Sequence, residues 1–194
     1  VRENIKLWDS EKGVTTEINQ KGAPVTKESV DEFLSFYSQW LSSLSMVVLT
    51  GSVPMGVENT IYKDMAQMAA EKDVKVILDA EGSLLLEGIK ARPFLIKPNR
   101  YEFVSAFAPK KDDTAGILAR AKELIEEGLV SIVVVTMGEE GAYLVEKDHV
   151  WRSMPPKISV KSTQGAGDSV VAGICASISM GLGGSDMLRY GVAA

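Results

Sequence analysis

Short apolar runs alternate with segments of helical periodicity along most of the 194 residues of the chain. Strands are predicted where aliphatic and β-branched residues cluster, at 46–50, 74–78, 94–96 and 131–136. Helices are predicted between and after them, at 27–44, 58–71, 84–91, 113–127 and 170–180. Because continuous apolar strands are typical of parallel sheets covered on both faces, we predict an α/β fold with three layers and a mainly parallel central sheet.

The two ends of the chain show different patterns. Residues 2–8 and 14–18 alternate roughly between polar and apolar side chains, with a turn at Gly13, and this pattern predicts a half-exposed two-stranded ribbon. The chain begins at Val1 and stops inside a helix that is predicted to begin near Ser185. We therefore expect it to be part of a longer polypeptide, truncated at both ends.

The composition of the chain mainly excludes some classes of partner and location. A formal net charge of −5, without any block of Lys or Arg, argues against nucleic acid as the main partner. No apolar run is long enough to span a membrane, and the N-terminus lacks a signal-peptide pattern. The single cysteine, Cys175, rules out an internal disulfide and suits a reducing compartment. We therefore expect a cytoplasmic protein with no membrane or nucleic-acid partner.

The run Gly165-Ala166-Gly167-Asp168 precedes a predicted helix and is the first candidate for chemistry. Small residues let a ligand approach the backbone, and the free N–H groups of a helix N-terminus favour anions. Asp168 could orient a hydroxyl group for phosphoryl transfer, a reaction that demands little strength of the base. The alternative is a tight turn in which Asp168 only caps the helix, and a lone glycine-rich turn does not decide between the two.

Asn99 and Glu102 lie three residues apart at a predicted helix start, on one face of that helix. An amide and a carboxylate in this arrangement can hold the water shell of Mg²⁺, which keeps several waters when it serves phosphates. The same two residues also form the pattern of a capping box, with Asn99 as the cap. Both interpretations can hold together.

Other candidates lie in the loops after predicted strands, where ligands of parallel sheets bind. These loops contain Gly51-Ser52, Asp79, Lys97 to Asn99, and Gly138 to Gly141. The segment from Thr136 to Gly141 follows the most apolar strand. It predicts either a nucleotide-facing loop or a hairpin turn. Residues 142–145 and 149–152 predict a further hairpin after it.

Taken together, these segments resemble the motifs of the phosphofructokinase B family of ribokinase-like sugar kinases. Residues 162–168, Ser-Thr-Gln-Gly-Ala-Gly-Asp, match the second signature of that family except at its first position. Asn99 and Glu102 match its Asn-x-x-Glu motif, and 136–141 resembles its nucleotide loop. Residues 50–56 resemble its substrate-side loop. The motifs follow the family order over nearly the whole chain, which makes the resemblance specific.

The resemblance implies a ribokinase-like fold, ATP and Mg²⁺ as cofactors, and a sugar phosphate as the small-molecule partner. Residues 1–22 are similar to the lid strands of fructose-1-phosphate and tagatose-6-phosphate kinases, so it also implies a β lid at 1–22, an incomplete kinase core at 23–194 and a homodimer through the lid. The implied site residues are Asp168 as catalytic base with Gly165, Ala166 and Gly167; Lys97, Thr136, Gly138 and Gly141 at the nucleotide; Arg2, Ser52 and Asp168 at the sugar phosphate; and Asn99 and Glu102 at Mg²⁺ through water.

Three functions stay open on the sequence. The first is phosphorylation of fructose 1-phosphate to fructose 1,6-bisphosphate, which residues 19–22 and 162–168 favour by their similarity to that group of kinases. The second is phosphorylation of tagatose 6-phosphate. The third is a non-catalytic protein that binds a sugar phosphate or a nucleotide on the same fold, although such a protein would not need Asp168 at the phosphate-binding turn.

Overall fold

The computed structural model describes residues 3–20, 22–156 and 165–194. Its strands are Asn4–Asp9 (β1), Val14–Asn19 (β2), Met46–Thr50 (β3), Lys75–Asp79 (β4), Leu95–Ile96 (β5), Ile132–Thr136 (β6), Ala142–Val145 (β7) and Val150–Ser153 (β8). Its α-helices are Lys27–Leu41 (α1), Ile61–Ala70 (α2), Gly82–Gly88 (α3), Arg100–Phe107 (α4), Thr114–Glu126 (α5), Ala166–Ser179 (α6) and Gly184–Ala193 (α7). Within the described residues, no helix has the length and apolar character needed to cross a membrane.

The central sheet has the strand order β3-β4-β5-β6-β7-β8. The first four strands are parallel, and β7 and β8 follow as an antiparallel hairpin. Each parallel strand is connected to the next through helices, as parallel pairing requires. The predicted α/β sandwich with a mainly parallel sheet is therefore confirmed, as is the predicted hairpin.

The two faces of the sheet are covered by different helices. Alternate residues along a strand point to opposite faces, so that Leu78 and Val133 belong to a core cluster with residues of α1 to α5. Ile77 and Val134 belong to the other cluster, whose helical members come from α6 and α7. The ribbon predicted near the N-terminus is also present, and it forms a separate antiparallel sheet of β1 and β2.

Helix α6 begins earlier than its sequence pattern predicts. We expected a helix from 170 to 180, but it begins at Ala166, directly after Gly165. Gly165 has a φ of 77°, a left-handed conformation that glycine adopts without strain. The prediction was wrong because Gly167 and Asp168 are weak helix formers, although an aspartate suits the first turn of a helix.

Helix α1 ends earlier than predicted, at Leu41 instead of residue 44. Its start is as predicted, because the Thr26 side chain accepts a hydrogen bond from the Ser29 N–H at 3.3 Å. At its end, the Ser43 backbone N–H and hydroxyl both donate to the Trp40 carbonyl, at 2.9 and 2.8 Å. Serine ends the helix here because its short side chain competes for backbone acceptors.

Candidate functional site

The carboxyl ends of the parallel strands form the edge at which the predicted ligand loops meet. Thr50 ends β3, Asp79 ends β4, Lys97 follows β5 and Thr136 ends β6. Neighbouring ends are joined by backbone hydrogen bonds, such as the one from the Gly51 N–H to the Asp79 carbonyl at 3.2 Å. The fold therefore brings these polar residues, which are distant in sequence, to one edge of the sheet.

A buried ion pair lies at the centre of this edge. The Lys97 Nζ is 2.9 Å from the Asp79 Oδ1, and the two side chains are only 5% and 13% exposed. Burial raises the pKa of the Asp79 carboxyl above its ordinary value, and the charge of Asp168 adds to that increase. The Lys97 ammonium opposes both effects, as does a hydrogen bond from the Thr50 side chain. Asp79 therefore interacts electrostatically with both Lys97 and Asp168.

The first turn of α6 faces the same ammonium. Gly165, in its left-handed conformation, precedes the helix, and the first three helical residues are Ala166, Gly167 and Asp168. A Cβ atom placed on Gly167 would lie 3.4 Å from the Lys97 Nζ. Because the first N–H groups of a helix have no partner within it, this turn and Lys97 together form a concentration of positive charge and hydrogen-bond donors.

Asp168 is exposed and lies at the third position of α6. We had left open whether Asp168 serves only as a helix cap, and its catalytic role stays a prediction. The N-cap position belongs to Gly165, and among the described residues no side chain caps this helix. The carboxylate of Asp168 is therefore accessible to a ligand beside the anion-binding turn.

Asn99 and Glu102 form the predicted capping box at the start of α4. The Glu102 N–H donates to the Asn99 Oδ1 at 2.9 Å, and the Asn99 N–H donates to the Glu102 Oε2 at 2.8 Å. Burial raises the pKa of the Glu102 carboxyl, whereas the Asn99 hydrogen bond and the Lys97 charge lower it. Since Asp79 also raises that pKa, the Glu102 carboxylate belongs to the same charged cluster as the buried ion pair.

The described residues offer few side chains that could bind a metal ion directly. No group of three or more His, Cys, Asp or Glu residues there could hold a metal ion. A carboxylate and an amide oxygen, at Glu102 and Asn99, are nevertheless the donor types that suit Mg²⁺ when most of its ligands are waters and phosphates. The donor set thus fits a magnesium ion held through water better than one held by side chains alone.

The loop after β6 is a tight turn with two glycines in left-handed or related conformations. Residues 138–140 form a 3-10 turn, Gly138 has a φ of 60°, and Gly141 has a φ of 88°. The turn joins antiparallel strands β6 and β7, so the hairpin interpretation is correct as geometry. Thr136 also forms a β-bridge with Asn99. The loop therefore lies next to the α4 start, and its contact with a nucleotide stays a prediction.

The loop after β3 is held by a residue that the sequence did not single out. The Tyr62 hydroxyl, on α2, donates to the Thr50 carbonyl at 2.6 Å and approaches the Gly51 carbonyl at 3.3 Å. Ser52 follows this point and is exposed. Tyr62 lies within an amphipathic helix, so the sequence contains no local signal for its contact. Asp79 did have a signal, its place after a strand, but its pairing with Lys97 was not predicted.

Two of the predicted segments lie outside the described residues. Arg2, predicted at the sugar phosphate, is one of them. Residues 162–164, the first part of the motif that ends at Asp168, are the other. The structure therefore brings together Lys97, Gly167 and Asp168, and it leaves the role of Arg2 as a prediction.

A helix start that faces a buried ammonium, at the carboxyl edge of a mainly parallel sheet, is the kind of arrangement that phosphate-binding α/β proteins use. The family model for pfkB family carbohydrate kinases matches residues 2–194. The chain therefore belongs to the pfkB family of carbohydrate kinases, and the resemblance inferred from its motifs is confirmed.

Relatives within this family include several 1-phosphofructokinases. The chain is 37% identical to that of Borreliella burgdorferi over 194 residues, which are 100% of this chain and 62% of the relative. It is 35% identical to that of Bacillus subtilis over 191 residues, which are 98% of this chain and 61% of the relative. The chain thus spans less than two thirds of the length of these curated relatives.

Solved structures agree with the fold. Phosphofructokinase-2 of Escherichia coli, in complex with substrates and products, is 26% identical with a TM-score of 0.87, over 97% of this chain and 62% of that one. The same Escherichia coli protein has been solved in complex with potassium and in a tetrameric inhibited form. The ribokinase of Arabidopsis thaliana is 18% identical with a TM-score of 0.76, over 98% of this chain and 60% of that one, so the predicted ribokinase-like fold is confirmed.

Proposed function

We propose that the protein acts in the ATP-dependent phosphorylation of a ketohexose phosphate, with fructose 1-phosphate as substrate and fructose 1,6-bisphosphate as product. The observation that carries this proposal is that the buried Lys97 ammonium faces the first turn of α6, which also presents the exposed Asp168 carboxylate. The relatives named 1-phosphofructokinase support the choice of fructose 1-phosphate over tagatose 6-phosphate.

Asp168 is the proposed catalytic base. Phosphoryl transfer passes through a loose transition state, so the base mainly orients the attacking hydroxyl and accepts its proton late. An exposed carboxylate in the first turn of α6 suits this task, because a sugar hydroxyl can reach it beside the N–H groups of the helix start. The sugar hydroxyl then attacks the terminal phosphorus of ATP, and ADP leaves.

The proposed electrophilic stabilisation comes from Lys97 and the α6 turn. Negative charge on the transferred phosphoryl group would be met by the Lys97 ammonium and by the N–H groups of Gly165, Ala166 and Gly167. These donors are in place before the ligand arrives, since the ion pair and the helix hold them. Such preorganisation is the main contribution that a protein makes to this reaction.

The remaining groups are proposed to bind the two substrates. Thr136, Gly138 and Gly141 would face the nucleotide from the turn after β6, and Ser52 and Arg2 would contact the sugar phosphate. A guanidinium such as that of Arg2 matches a phosphate group well, because it can donate two parallel hydrogen bonds.

Magnesium is implied by the family, and Asn99 and Glu102 would hold it through water. Glu102 uses part of its hydrogen-bonding capacity on Asn99 and keeps lone pairs for ordered water. Bound there, the ion would neutralise charge on the nucleotide phosphates.

We also propose that residues 1–22 form a lid over the 23–194 core and that two copies pair through it. One side of the ribbon carries Ile5, Leu7 and Ile18, each at least half exposed. Apolar side chains in such a row favour a partner surface. Cys175 as the single cysteine is compatible with the reducing environment of the cytoplasm, where we place the reaction.

An ADP-release assay across a panel of sugar phosphates tests the proposed function. We expect the intact protein to use fructose 1-phosphate with a higher kcat/KM than tagatose 6-phosphate or fructose 6-phosphate. A preference for tagatose 6-phosphate would change the proposed substrate but not the proposed reaction. Binding of sugar phosphate or ATP without any ADP release would instead identify a non-catalytic binding protein.

A further inference from the structure

The burial of the Asp79–Lys97 pair poses an electrostatic problem, and the proposed mechanism assigns no separate role to Asp79. An ammonium that is 95% buried loses its hydration, which is unfavourable unless a partner compensates. Lys97 also faces the positive end of α6, which alone would repel it. The carboxylate at 2.9 Å therefore provides the partner that offsets the lost hydration of the Lys97 ammonium.

The backbone around Asp79 is held on two sides. Its residue pairs with Thr50 in the β3–β4 register, and its carbonyl accepts the Gly51 N–H at 3.2 Å. On the other side, the Lys97 N–H donates to the Leu78 carbonyl at 3.0 Å. Hydrogen bonds to both neighbouring strands thus fix the backbone that carries the Asp79 carboxylate. An ion pair formed with this carboxylate therefore has a fixed position.

Gly167 leaves open the space in front of the ammonium. Its φ lies outside the left-handed region, so its backbone conformation does not require glycine. A methyl group there would come within 3.4 Å of the Lys97 Nζ and would occupy the gap between the ammonium and the helix. Glycine at position 167 therefore leaves space for a ligand atom and is not required by the backbone conformation.

We infer that Asp79 is a positioning residue, which holds the Lys97 ammonium against the first turn of α6 so that a phosphoryl oxygen of the nucleotide binds between the two. This inference rests on the proposed function for the identity of the ligand. It assigns Asp79 no contact with the substrate. Asp79 contributes by fixing the position of the Lys97 ammonium. An ion pair that only stabilised the fold would not affect turnover.

A double-mutant cycle tests this role. Asp79→Asn removes the charge and keeps the shape, and we expect kcat to fall by about 10- to 100-fold, because displaced catalytic groups lose roughly that much. In the Lys97→Met background, Asp79→Asn should lower kcat little further, since the charge it positions is gone. The control is Asp112→Asn, which breaks an exposed ion pair of the same 2.9 Å length and should leave kcat unchanged.

Each outcome of the cycle decides the inference. Losses in kcat that add fully in the double variant would contradict it, because Asp79 would then act independently of Lys97. Unchanged turnover in Asp79→Asn would also overturn it, and tighter ATP binding in that variant would show that Asp79 only repels phosphate. Thermal unfolding of every variant shows whether kcat refers to folded protein.

A second variant covers the case in which the ion-pair variants fail to fold. Gly167→Ala leaves Asp79 and Lys97 intact, and we expect it to weaken binding of a non-hydrolysable ATP analogue in calorimetry, with little change in stability. Unchanged analogue binding would contradict a ligand atom in this gap. A wild-type protein that binds the analogue but phosphorylates no sugar would contradict the proposed function alone, whereas one that does not bind the analogue contradicts both.

Discussion

Two ion pairs near the start of α4 have the same length and opposite surroundings. Lys97 and Asp79 are 2.9 Å apart and almost fully buried, whereas Arg100 and Asp112 are 2.9 Å apart with side chains 41% and 65% exposed. Exposed pairs contribute little, because water and salt screen them, and buried pairs are costly to break. Distance alone therefore does not distinguish the two pairs, and we expect the buried pair at the ligand edge of the sheet to be the functional one.

The largest difference in activity and stability is expected between variants of the two cationic residues, Lys97 and Arg100. Lys97→Met should lower kcat/KM for ATP by about 100- to 1,000-fold, the loss typical of a missing donor to a developing anion. It should also reduce the free energy of unfolding by about 3–5 kcal/mol, because Asp79 is left buried without its charged partner. Arg100→Met is the matched control and should change both quantities little. Steady-state kinetics and denaturant unfolding measure the two effects, and equal losses in both variants would refute the comparison.

A second contrast separates two helix caps. Glu102→Gln weakens the capping box of α4, and Asp113→Ala removes the side chain that accepts the Gly116 N–H at 2.7 Å at the start of α5. Each variant should lose about 1 kcal/mol of stability or less. Only Glu102→Gln should raise the Mg²⁺ concentration needed for half-maximal activity, by about tenfold. A titration of activity against free Mg²⁺ checks this, and parallel curves for both variants would make Glu102 purely structural.

A third contrast concerns two tyrosines that donate to backbone carbonyls. Tyr62 binds the Thr50 carbonyl at the ligand edge, and Tyr37 binds the Met65 carbonyl at 3.1 Å between α1 and α2. Each change to phenylalanine should cost about 1 kcal/mol of stability. We expect the KM for the sugar phosphate to rise several-fold only in Tyr62→Phe, because that variant frees the loop before Ser52. If both variants keep the same KM, the loop does not depend on Tyr62.

The smallest effect is expected at alkaline pH, away from the site. Burial raises the pKa of Tyr37 to about 12, from an ordinary value near 10. The folded protein therefore holds this proton more tightly than the unfolded chain, so the contribution is complete below pH ~10 and is lost as the pH rises through ~12. The free energy of unfolding should decline over this range, and Tyr37→Phe should make the decline shallower. An equally steep decline in that variant would assign the effect to other groups.

The sequence was sufficient for features that depend on local pattern. The apolar run 132–135 predicts a central strand, and the Asn99–Glu102 spacing predicts a capping box that the structure contains. The alternation of strands and helices predicts the layered sheet, because only a parallel arrangement buries both faces of such strands.

Features that depend on tertiary register could not be predicted in the same way. The Asp79–Lys97 pair joins residues at the ends of adjacent strands, and it exists because β4 and β5 are neighbours in a particular register. The Tyr62 contact depends on how α2 packs on β3. The start of α6 was missed for another reason, since the conformation of Gly165 overrides the weak helix propensity of the residues after it.

The most direct test of the central claim is the turnover of Asp168→Asn with ATP and fructose 1-phosphate in the intact protein. The account predicts that kcat falls by about 100- to 10,000-fold, the range for loss of a general base. Binding of a non-hydrolysable ATP analogue should persist, because Lys97 and the α6 turn are unchanged. Near-normal turnover in this variant would contradict the assignment of the α6 start as the phosphoryl-transfer site.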